Sequence, residues 1–369
     1  MKILFIAPIP PPTDGQSKAS KVLLDKLIHE GHEVVIVNLS KKVIRNGALS
    51  VLRLYEIIKV LLKVFTKRSG CDIIYLSLAE SILGNLRDLA IYSICNNNKK
   101  NIVIHMLGGA GMKRILSGNG LQSRVNKFFI SKIGGVIVEG PVNFELFARV
   151  IDKNKIRIVP NFAEDFLFAE EGEIQQKFED INIVNILYLS NLIYGKGYLE
   201  LFEAYTNLSK EIQDQISLTF VGGFESELDK GEFLDKIHNY DNIKYLGHFI
   251  DGLEKRNLYL KSHIFCLPTY YPYEGQPISI LEAYATGCVV ITSSHSGIPF
   301  IFSDKENGFI VEKKSPSSIT DAINKALHQK NGLISLALKN REQAFSKYRT
   351  THFQNSIIEL FSDLNSHNQ

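Results

Sequence analysis

Two glutamates, Glu274 and Glu282, stand at a spacing that could hold one ligand from two sides. The residues between them predict a helix, because Pro277 suits a first helical position and Gly287 suits the residue after a helix ends. On that helix Glu282 shares a face with apolar residues such as Ile278. A carboxylate buried without a partner is costly, so we expect hydroxyl donors to meet Glu282 at the floor of a cleft.

The start of this predicted helix is a second chemical feature. Its first N–H groups have no acceptor within the helix, and the helix dipole favours an anion at this end. A diphosphate fits there, with Glu274 and Glu282 addressing opposite ends of a nucleotide-sugar. From Pro277 to Glu282 such a helix rises roughly 7.5 Å. The alternative is that Glu274 is a solvated loop acid and that Glu282 bonds a neighbouring backbone N–H.

The segment around these residues resembles a known family. A Leu-Pro-Thr at 267–269 precedes Glu274 and Gly275, and a Gly-Ile-Pro at 297–299 follows them. This arrangement resembles the donor-site signature of the retaining glycosyltransferases of family four, also called glycosyl transferases group 1. The resemblance implies an α/β chain of two Rossmann-like domains facing across a cleft, the GT-B fold. It also implies transfer of a sugar, with retention, from a nucleotide-sugar to an acceptor hydroxyl.

Lys196 and His105 complete the predicted catalytic set with Glu274. Lys196 lies between two glycines, after a predicted strand and before a predicted helix, which is an order typical of phosphate binding. His105 ends an apolar strand ahead of a Gly-rich turn, where an α/β sheet presents its ligands. The alternatives are a solvated loop lysine and a buried core histidine. In the resembled family a histidine at this strand end contacts the transferred sugar.

The other predicted donor-binding residues come from several loops. They are Gly15, Gln16, Asn191, Gly222, His248, Gly275, Gln276, Pro277 and Ile278. Two of them depart from the resembled pattern, in which Gln16 is often a second glycine and Asn191 often an arginine. Lys196 therefore supplies the full positive charge expected at the diphosphate. Gly15 considered alone is more often an ordinary turn residue.

The order of predicted elements indicates two α/β domains, and 369 residues with 45% hydrophobic content suffice for two cores. The predicted divisions are 1–165 as an acceptor-side domain, 166–345 as a nucleotide-sugar-binding domain, and 346–369 as a helix that, by the resemblance, returns to the first domain. The acidic segment 164–180 lacks clear periodicity and is interpreted as a hinge. Residues 345–364 predict one helix.

Several classes of site are not supported by the sequence. It contains no Asp-x-Asp triplet, no complete dinucleotide fingerprint and no P-loop, so we predict neither a metal nor a cofactor. The nucleoside-diphosphate-sugar is then a substrate whose charge is met by cations and helix dipoles. The four cysteines form no Cys-x-x-Cys and fit a reducing cytosol, and no run is long and apolar enough to span a membrane.

The net charge of +3 conceals an asymmetry between the two halves. Residues 1–165 carry 24 Lys and Arg against 13 Asp and Glu. Between Lys41 and Arg68, eight basic residues face the single acid Glu56 and alternate with apolar ones, which predicts a basic amphipathic helix. Such a helix suits an anionic membrane surface, at the inner face of the membrane, and equally a core helix with a solvated basic face. No nucleic-acid-binding signature accompanies the charge.

These observations lead to one hypothesis and two alternatives. The hypothesis is a cytoplasmic glycosyltransferase that acts on a glycan or a lipid-linked glycan of cell-surface polysaccharide synthesis. A nucleotide-sugar 2-epimerase of the same fold would turn over the donor without an acceptor. A non-catalytic nucleotide-sugar-binding partner of another transferase would bind the donor and turn over nothing.

Overall fold

A computed structural model describes residues 1–11, 13–40, 51–79, 81–247 and 250–368. The chain forms two compact units. Unit 1 comprises residues 1–161 together with the segment from 351 onward, and unit 2 comprises residues 162–350. Each unit contains its own six-stranded sheet, in which the paired strands are parallel.

The sheet of unit 1 is built from apolar runs that are buried on both faces. Residues 3–7 and 73–77 are fully buried, as expected for strands of a parallel sheet covered by helices. The strands are β1 (Lys2–Ala7), β2 (Glu33–Asn38), β3 (Ile73–Ser77), β4 (Ile102–Met106), β5 (Gly135–Val138) and β6 (Ile156–Ile158). Their order across the sheet is β2-β1-β3-β4-β5-β6.

Besides the final helix of the chain, unit 1 contains the helices that connect these strands. They are α1 (Gly15–His29), α2 (Val51–Lys67), α3 (Ile82–Ile94), α4 (Ala110–Ser117), α5 (Leu121–Ile130) and α6 (Pro141–Phe147). Asp14 caps α1 by accepting from the backbone N–H of Ser17 at 2.7 Å, and the Asp14 backbone N–H donates to the Ser17 hydroxyl at 2.9 Å. This reciprocal cap fixes the start of α1 directly after the loop that follows β1.

Unit 2 repeats the plan with a second set of parallel strands. They are β7 (Val184–Leu189), β8 (Ile216–Val221), β9 (Ile243–Tyr245), β10 (Ile264–Leu267), β11 (Val289–Ser293) and β12 (Gly308–Val311), in the order β12-β11-β10-β7-β8-β9. The helices are α7 (Glu171–Lys177), α8 (Tyr198–Thr206), α9 (Lys210–Gln213), α10 (Glu227–Ile237), α11 (Gly252–Leu260), α12 (Ile278–Ala285), α13 (Pro316–His328) and α14 (Leu333–Lys347). The final helix of the chain, α15, spans Thr350–Asn368.

Two expectations for local structure are wrong. The segment 164–180 is not an irregular hinge, because it contains α7, whose Ile174 is fully buried in the core of unit 2. The segment 345–364 is not one helix, because α14 ends at Lys347 and α15 begins at Thr350. The break follows from Tyr348, which is 4% exposed and whose carbonyl accepts from the Ala163 N–H at 2.8 Å.

Candidate functional site

The strand order of unit 2 contains a switch point between β7 and β10. From β7 the chain continues to β8 on one side, whereas from β10 it continues to β11 on the other. The loops after these two neighbouring strands therefore diverge, and open parallel sheets bind ligands in the crevice left at such a point. Lys196 lies in the loop after β7, and Glu274 lies in the loop after β10.

Lys196 and Glu274 form an ion pair at this switch point. The Lys196 Nζ lies 2.9 Å from Oε1 and 2.8 Å from Oε2 of Glu274. The Thr269 hydroxyl donates to Glu274 Oε2 at 2.8 Å. The Lys196 and Glu274 side chains are 14% and 7% exposed, so both charges are held together in a largely dry place. The structure thus joins two of the three predicted catalytic residues.

The two loops that carry this pair are also fastened to each other. The Gly195 carbonyl accepts from the backbone N–H of Tyr270 at 2.7 Å. Gly197 has a positive φ of 85°, and a Cβ atom there would lie 2.5 Å from the Pro268 carbonyl oxygen. Only glycine fits this backbone conformation and this close approach.

The helix predicted between the two glutamates is α12, and it begins at Ile278 rather than at Pro277. Pro277 is therefore the N-cap residue and not the first residue of the helix, as the sequence had predicted. Gln276 is 4% exposed, and the Gly275 carbonyl accepts from the Gly297 N–H at 3.2 Å. The entry to α12 is therefore held against the loop that follows β11. The first N–H groups of α12 lack intrahelical acceptors by position, so this tip retains the anion-binding character expected from the sequence.

Glu282 lies one turn into α12, and groups of the protein itself surround its carboxylate. The Lys255 Nζ is 2.9 Å from Glu282 Oε1, and the Tyr259 hydroxyl donates to Oε2 at 3.2 Å. Burial raises the pKa of Tyr259 far above its ordinary value, so the hydroxyl keeps its proton. Lys255 is itself only 1% exposed. The expected hydroxyl donor therefore exists, but it is a tyrosine of α11, and a ligand hydroxyl would have to join this cluster.

The glycine-rich ends of other strands lie in the same part of unit 2. Gly222 follows β8, and a Cβ atom there would lie 1.9 Å from the Ser190 carbonyl oxygen in the loop after β7. Gly222 therefore keeps the ends of these neighbouring strands close together. Asn191 is exposed in the same loop after β7. His248, the remaining predicted donor residue of unit 2, lies outside the described residues.

In unit 1, Gly15 and Gln16 also lie at a switch point, between β1 and β3. Gly15 is the first residue of α1, and its donor-binding role stays a prediction. The Gln16 Nε2 donates to the Ser77 hydroxyl at 2.7 Å and to the Leu78 carbonyl at 3.0 Å. Gln16, in the first turn of α1, thus contacts the end of β3 and the residue after it, which the glycine often found here in the resembled family could not do.

His105 is buried in unit 1, with Nδ1 paired and Nε2 without a hydrogen-bond partner among the described residues. The residue is 0% exposed, and its Nδ1 lies 2.7 Å from the Tyr75 hydroxyl oxygen. Its ring lies 6.0 Å from the ring of Phe353 in α15, measured between centroids. The contact of His105 with the transferred sugar stays a prediction, and in this structure no part of the ring reaches the surface. Burial lowers the pKa of His105 to about 3, so the ring is neutral at physiological pH.

This burial predicts an acid-sensitive stability. Between pH 6.5 and pH 3 the unfolded chain binds a proton at His105 that the folded chain does not, so stability falls as the pH falls. From pH 7.5 to pH 5 we expect His105 to contribute a loss of about 2 kcal/mol in the free energy of unfolding. Denaturant titrations at the two pH values measure this difference.

A His105→Gln variant provides the comparison, and it should lose that part of the pH dependence. His263 in unit 2 has a pKa lowered by burial to about 4, so its contribution of the same sign should remain in the variant. An unchanged pH dependence in His105→Gln would contradict the assignment of a neutral, buried His105.

Lys255 and Tyr259 are candidate functional residues that the sequence analysis missed. They lie on the same face of α11, four residues apart, and the Lys255 Nζ also approaches Asp251 at 3.4 Å and Glu164 at 3.6 Å. A lysine four residues before a tyrosine is a weak signal, because it also occurs on ordinary surface helices. Their contact with Glu282 depends on how α11 packs against α12.

In the described part of the chain, no group of three or more His, Cys, Asp or Glu side chains is arranged to hold a metal ion. None of the helices among the described residues combines the length and apolar content that a bilayer crossing needs.

The similarity to a known family lies mainly in unit 2. Residues 170–349, which make up most of unit 2, match the family described as glycosyl transferases group 1. The chain is 27% identical over 221 residues to the N,N'-diacetylbacillosaminyl-diphospho-undecaprenol alpha-1,3-N-acetylgalactosaminyltransferase of Campylobacter jejuni. That match covers 57% of this chain and 55% of the relative, so the chain spans little more than half of that protein.

Two further similarities concern a capsule enzyme and a solved structure. The capsular polysaccharide biosynthesis glycosyltransferase CapH of Staphylococcus aureus is 29% identical over 62% of this chain and 71% of its own length. The Anabaena protein Alr3699/HepE, solved in complex with UDP, superposes with a TM-score of 0.74 at 16% identity, covering 98% of this chain and 100% of that protein. Together with the two parallel six-stranded sheets, this likeness confirms the predicted GT-B fold.

Proposed function

We propose that the chain transfers a sugar from a nucleoside-diphosphate-sugar to an acceptor hydroxyl, because residues 170–349 match the family described as glycosyl transferases group 1. The observation that carries the proposal is the Lys196–Glu274 pair at the switch point of unit 2. It places one cation and one acid beside the entry to α12, which are the groups needed by a diphosphate joined to a polyhydroxyl ring.

The donor would separate this ion pair. A diphosphate carries more negative charge than one carboxylate, so it competes for Lys196 while the tip of α12 offers N–H groups to the same oxygens. Glu274, released from Lys196, would then accept hydrogen bonds from hydroxyls of the sugar. The nucleoside extends toward Glu282, whose carboxylate Lys255 and Tyr259 hold in place for the ribose hydroxyls.

In the reaction the bond between the anomeric carbon and the diphosphate oxygen breaks, and a bond from the acceptor oxygen to the same carbon forms. Negative charge then develops on the departing diphosphate, where Lys196 and the tip of α12 stabilise it more strongly than in the ground state. The acceptor proton passes to the leaving phosphate oxygen, so no strong base of the protein is required. This step, with retention at the anomeric carbon, is our proposal for the site.

We propose an acceptor that is a glycan carried on a lipid diphosphate. The proposal is supported by the Campylobacter relative, whose name describes transfer to a diphospho-undecaprenol-linked sugar, and by the capsular assignment of the Staphylococcus relative. A lipid-linked glycan lies at a membrane surface, so we also propose that the chain acts as a peripheral protein there.

A panel of nucleotide-sugars tests the proposed function. With the true donor, slow release of the nucleoside diphosphate is expected without an acceptor, and faster release with a lipid-linked glycan. Glu274→Ala should abolish the acceptor-stimulated release, because its carboxylate binds the sugar. Glu274→Gln should retain part of it, since an amide oxygen still accepts hydrogen bonds.

The two alternatives give other outcomes in the same assay. Conversion of the donor to its 2-epimer without an acceptor would identify an epimerase. Calorimetric binding of the donor with no turnover against a pool of acceptors would identify a non-catalytic partner. Normal transfer by Glu274→Ala would refute the assigned site even if the chain is a transferase.

A further inference from the structure

Helix α2 presents three different faces. One face packs on the core of unit 1 through Val64, which is 0% exposed, with the partly buried Val60 and Leu61 beside it. Because a helix turns 100° per residue, Leu54, Ile58 and Leu62 fall on a second face that points away from that core. Lysines at every fourth position occupy the third face.

The second face is unusual because it is both apolar and exposed. Leu54, Ile58, Leu62 and Phe65 are 60%, 47%, 60% and 55% exposed, and Tyr55 at 64% extends the same stripe. A helix of a soluble domain normally buries its only apolar face and leaves the rest polar. Here the core face is satisfied, and a second apolar stripe of several large side chains remains in water, which marks an interaction surface.

Basic side chains line one border of this stripe. Lys59, Lys63 and Lys67 follow one another at four-residue spacing on the third face, and all three are exposed. At the end of the helix the guanidinium of Arg68 lies 4.2 Å from the centre of the Phe65 ring. A cation resting on an exposed aromatic ring suits the boundary between lipid headgroups and acyl chains, where the ring enters and the charge meets phosphate.

The neighbouring helices extend the same pattern. Helix α3 packs against α2, and α5 packs against α3. Large apolar side chains are exposed on both of these helices, namely Ile82, Leu86, Leu121 and Phe128. The Lys132 Nζ lies 3.4 Å from the centre of the Phe128 ring, which repeats the arrangement of Arg68 on Phe65. Unit 1 thus exposes large apolar side chains on α2, α3 and α5, and a cation lies over an exposed aromatic ring of α2 and of α5.

We propose that the stripe of Leu54, Ile58, Leu62 and Phe65 with its lysine border is a docking surface for an anionic lipid bilayer. The apolar side chains enter the interface, and Lys59, Lys63 and Lys67 contact lipid phosphates. A protein partner or a second copy would satisfy the apolar stripe equally well, but the regular row of lysines with one acid, Glu56, among them favours a surface of uniform negative charge. The inference rests on the proposed function in one respect only: a lipid-linked acceptor would give the chain a reason to bind a membrane.

Co-sedimentation with vesicles tests the surface without donor or acceptor, so its result does not depend on catalysis. The wild-type chain should sediment with phosphatidylcholine vesicles that contain roughly one third phosphatidylglycerol, and weakly with phosphatidylcholine alone. A triple variant should lower the partition coefficient between vesicles and water at least tenfold; its changes are Ile58→Ser, Leu62→Ser and Phe65→Ser. The matched control replaces three exposed apolar residues of unit 2, Ile183, Leu228 and Leu253, by serine and should bind like the wild type.

A charge variant separates the two contributions. Lys59→Gln, Lys63→Gln and Lys67→Gln combined should remove the preference for anionic vesicles, whereas the same change at Lys236, Lys244 and Lys325 should not. The proposal would be overturned if the wild type sedimented with neither type of vesicle. It would also be overturned if the apolar variant and its control bound vesicles equally. A wild-type dimer that dissociates in the apolar variant would overturn it too, because the stripe would then be a subunit interface.

Discussion

A Lys196→Ala variant is expected to lose about two to three orders of magnitude in kcat/KM for sugar transfer. Lys196 is the cation that the structure places at the switch point of unit 2, 2.8 Å from Glu274 and 14% exposed. Charge developing on the leaving diphosphate is stabilised most strongly by a fixed charge in a water-poor place. Removal of the lysine also leaves the carboxylate of Glu274 beside the diphosphate without a counter-ion, which repels the donor.

The measurement combines kinetics with binding of the nucleoside diphosphate. We expect affinity for the nucleoside diphosphate to fall and kcat to fall further, because the charge matters more in the transition state than in the ground state. Lys196→Arg should keep much of the binding but lose rate, since the planar guanidinium does not reproduce the ammonium geometry. Lys210→Ala, an exposed lysine of the same unit, is the control. A Lys196→Ala enzyme within threefold or so of the wild type would remove Lys196 from the proposed mechanism.

The second large effect concerns stability. Lys255→Met is expected to cost about 3 to 5 kcal/mol in the free energy of unfolding of unit 2. The substitution keeps the volume of the side chain but leaves Glu282, which is 3% exposed, without its cation at 2.9 Å. Breaking one side of a buried ion pair is costly because the other charge stays in the protein interior.

Denaturant unfolding of the variants measures this cost. Lys261→Met, at the end of the same helix but exposed, should change stability by less than about 0.5 kcal/mol. The double variant Lys255→Met with Glu282→Gln should recover a large part of the loss, because no unpaired charge remains. Equal stability of Lys255→Met and Lys261→Met would mean that the pair is not the structural support that its geometry indicates.

The fold was accessible from the sequence because parallel strands buried on both faces appear as continuous apolar runs, such as residues 3–7 and 264–267. Lys196 and Glu274 were also accessible, since each lies in the loop that follows such a run. Helix α7 was not, because its seven residues bury only Ile174 and give no periodic pattern. The helix becomes stable only when that side chain packs against the rest of unit 2.

The surroundings of His105 and Glu282 required the tertiary structure. A histidine at a strand end has the same local sequence whether it faces a ligand or the core, and Phe353, which covers His105, comes from the last helix of the chain. Likewise, Lys255 and Glu282 are separated by a strand and a loop along the chain, so their contact leaves no local pattern. Burial and partners at these positions are properties of packing rather than of neighbouring residues.

The contact of Gly197 with Pro268 limits how donor preference can be exchanged between relatives. The stretch that carries Lys196 and the stretch that carries Glu274 share a backbone hydrogen bond at Gly195, and they approach too closely at Gly197 for any other residue. In a chimera that takes only one of these stretches from a relative, the imported backbone would not fit against the other stretch. Both segments have to be transplanted together, and recombination points for such hybrids belong before β7 and after α12.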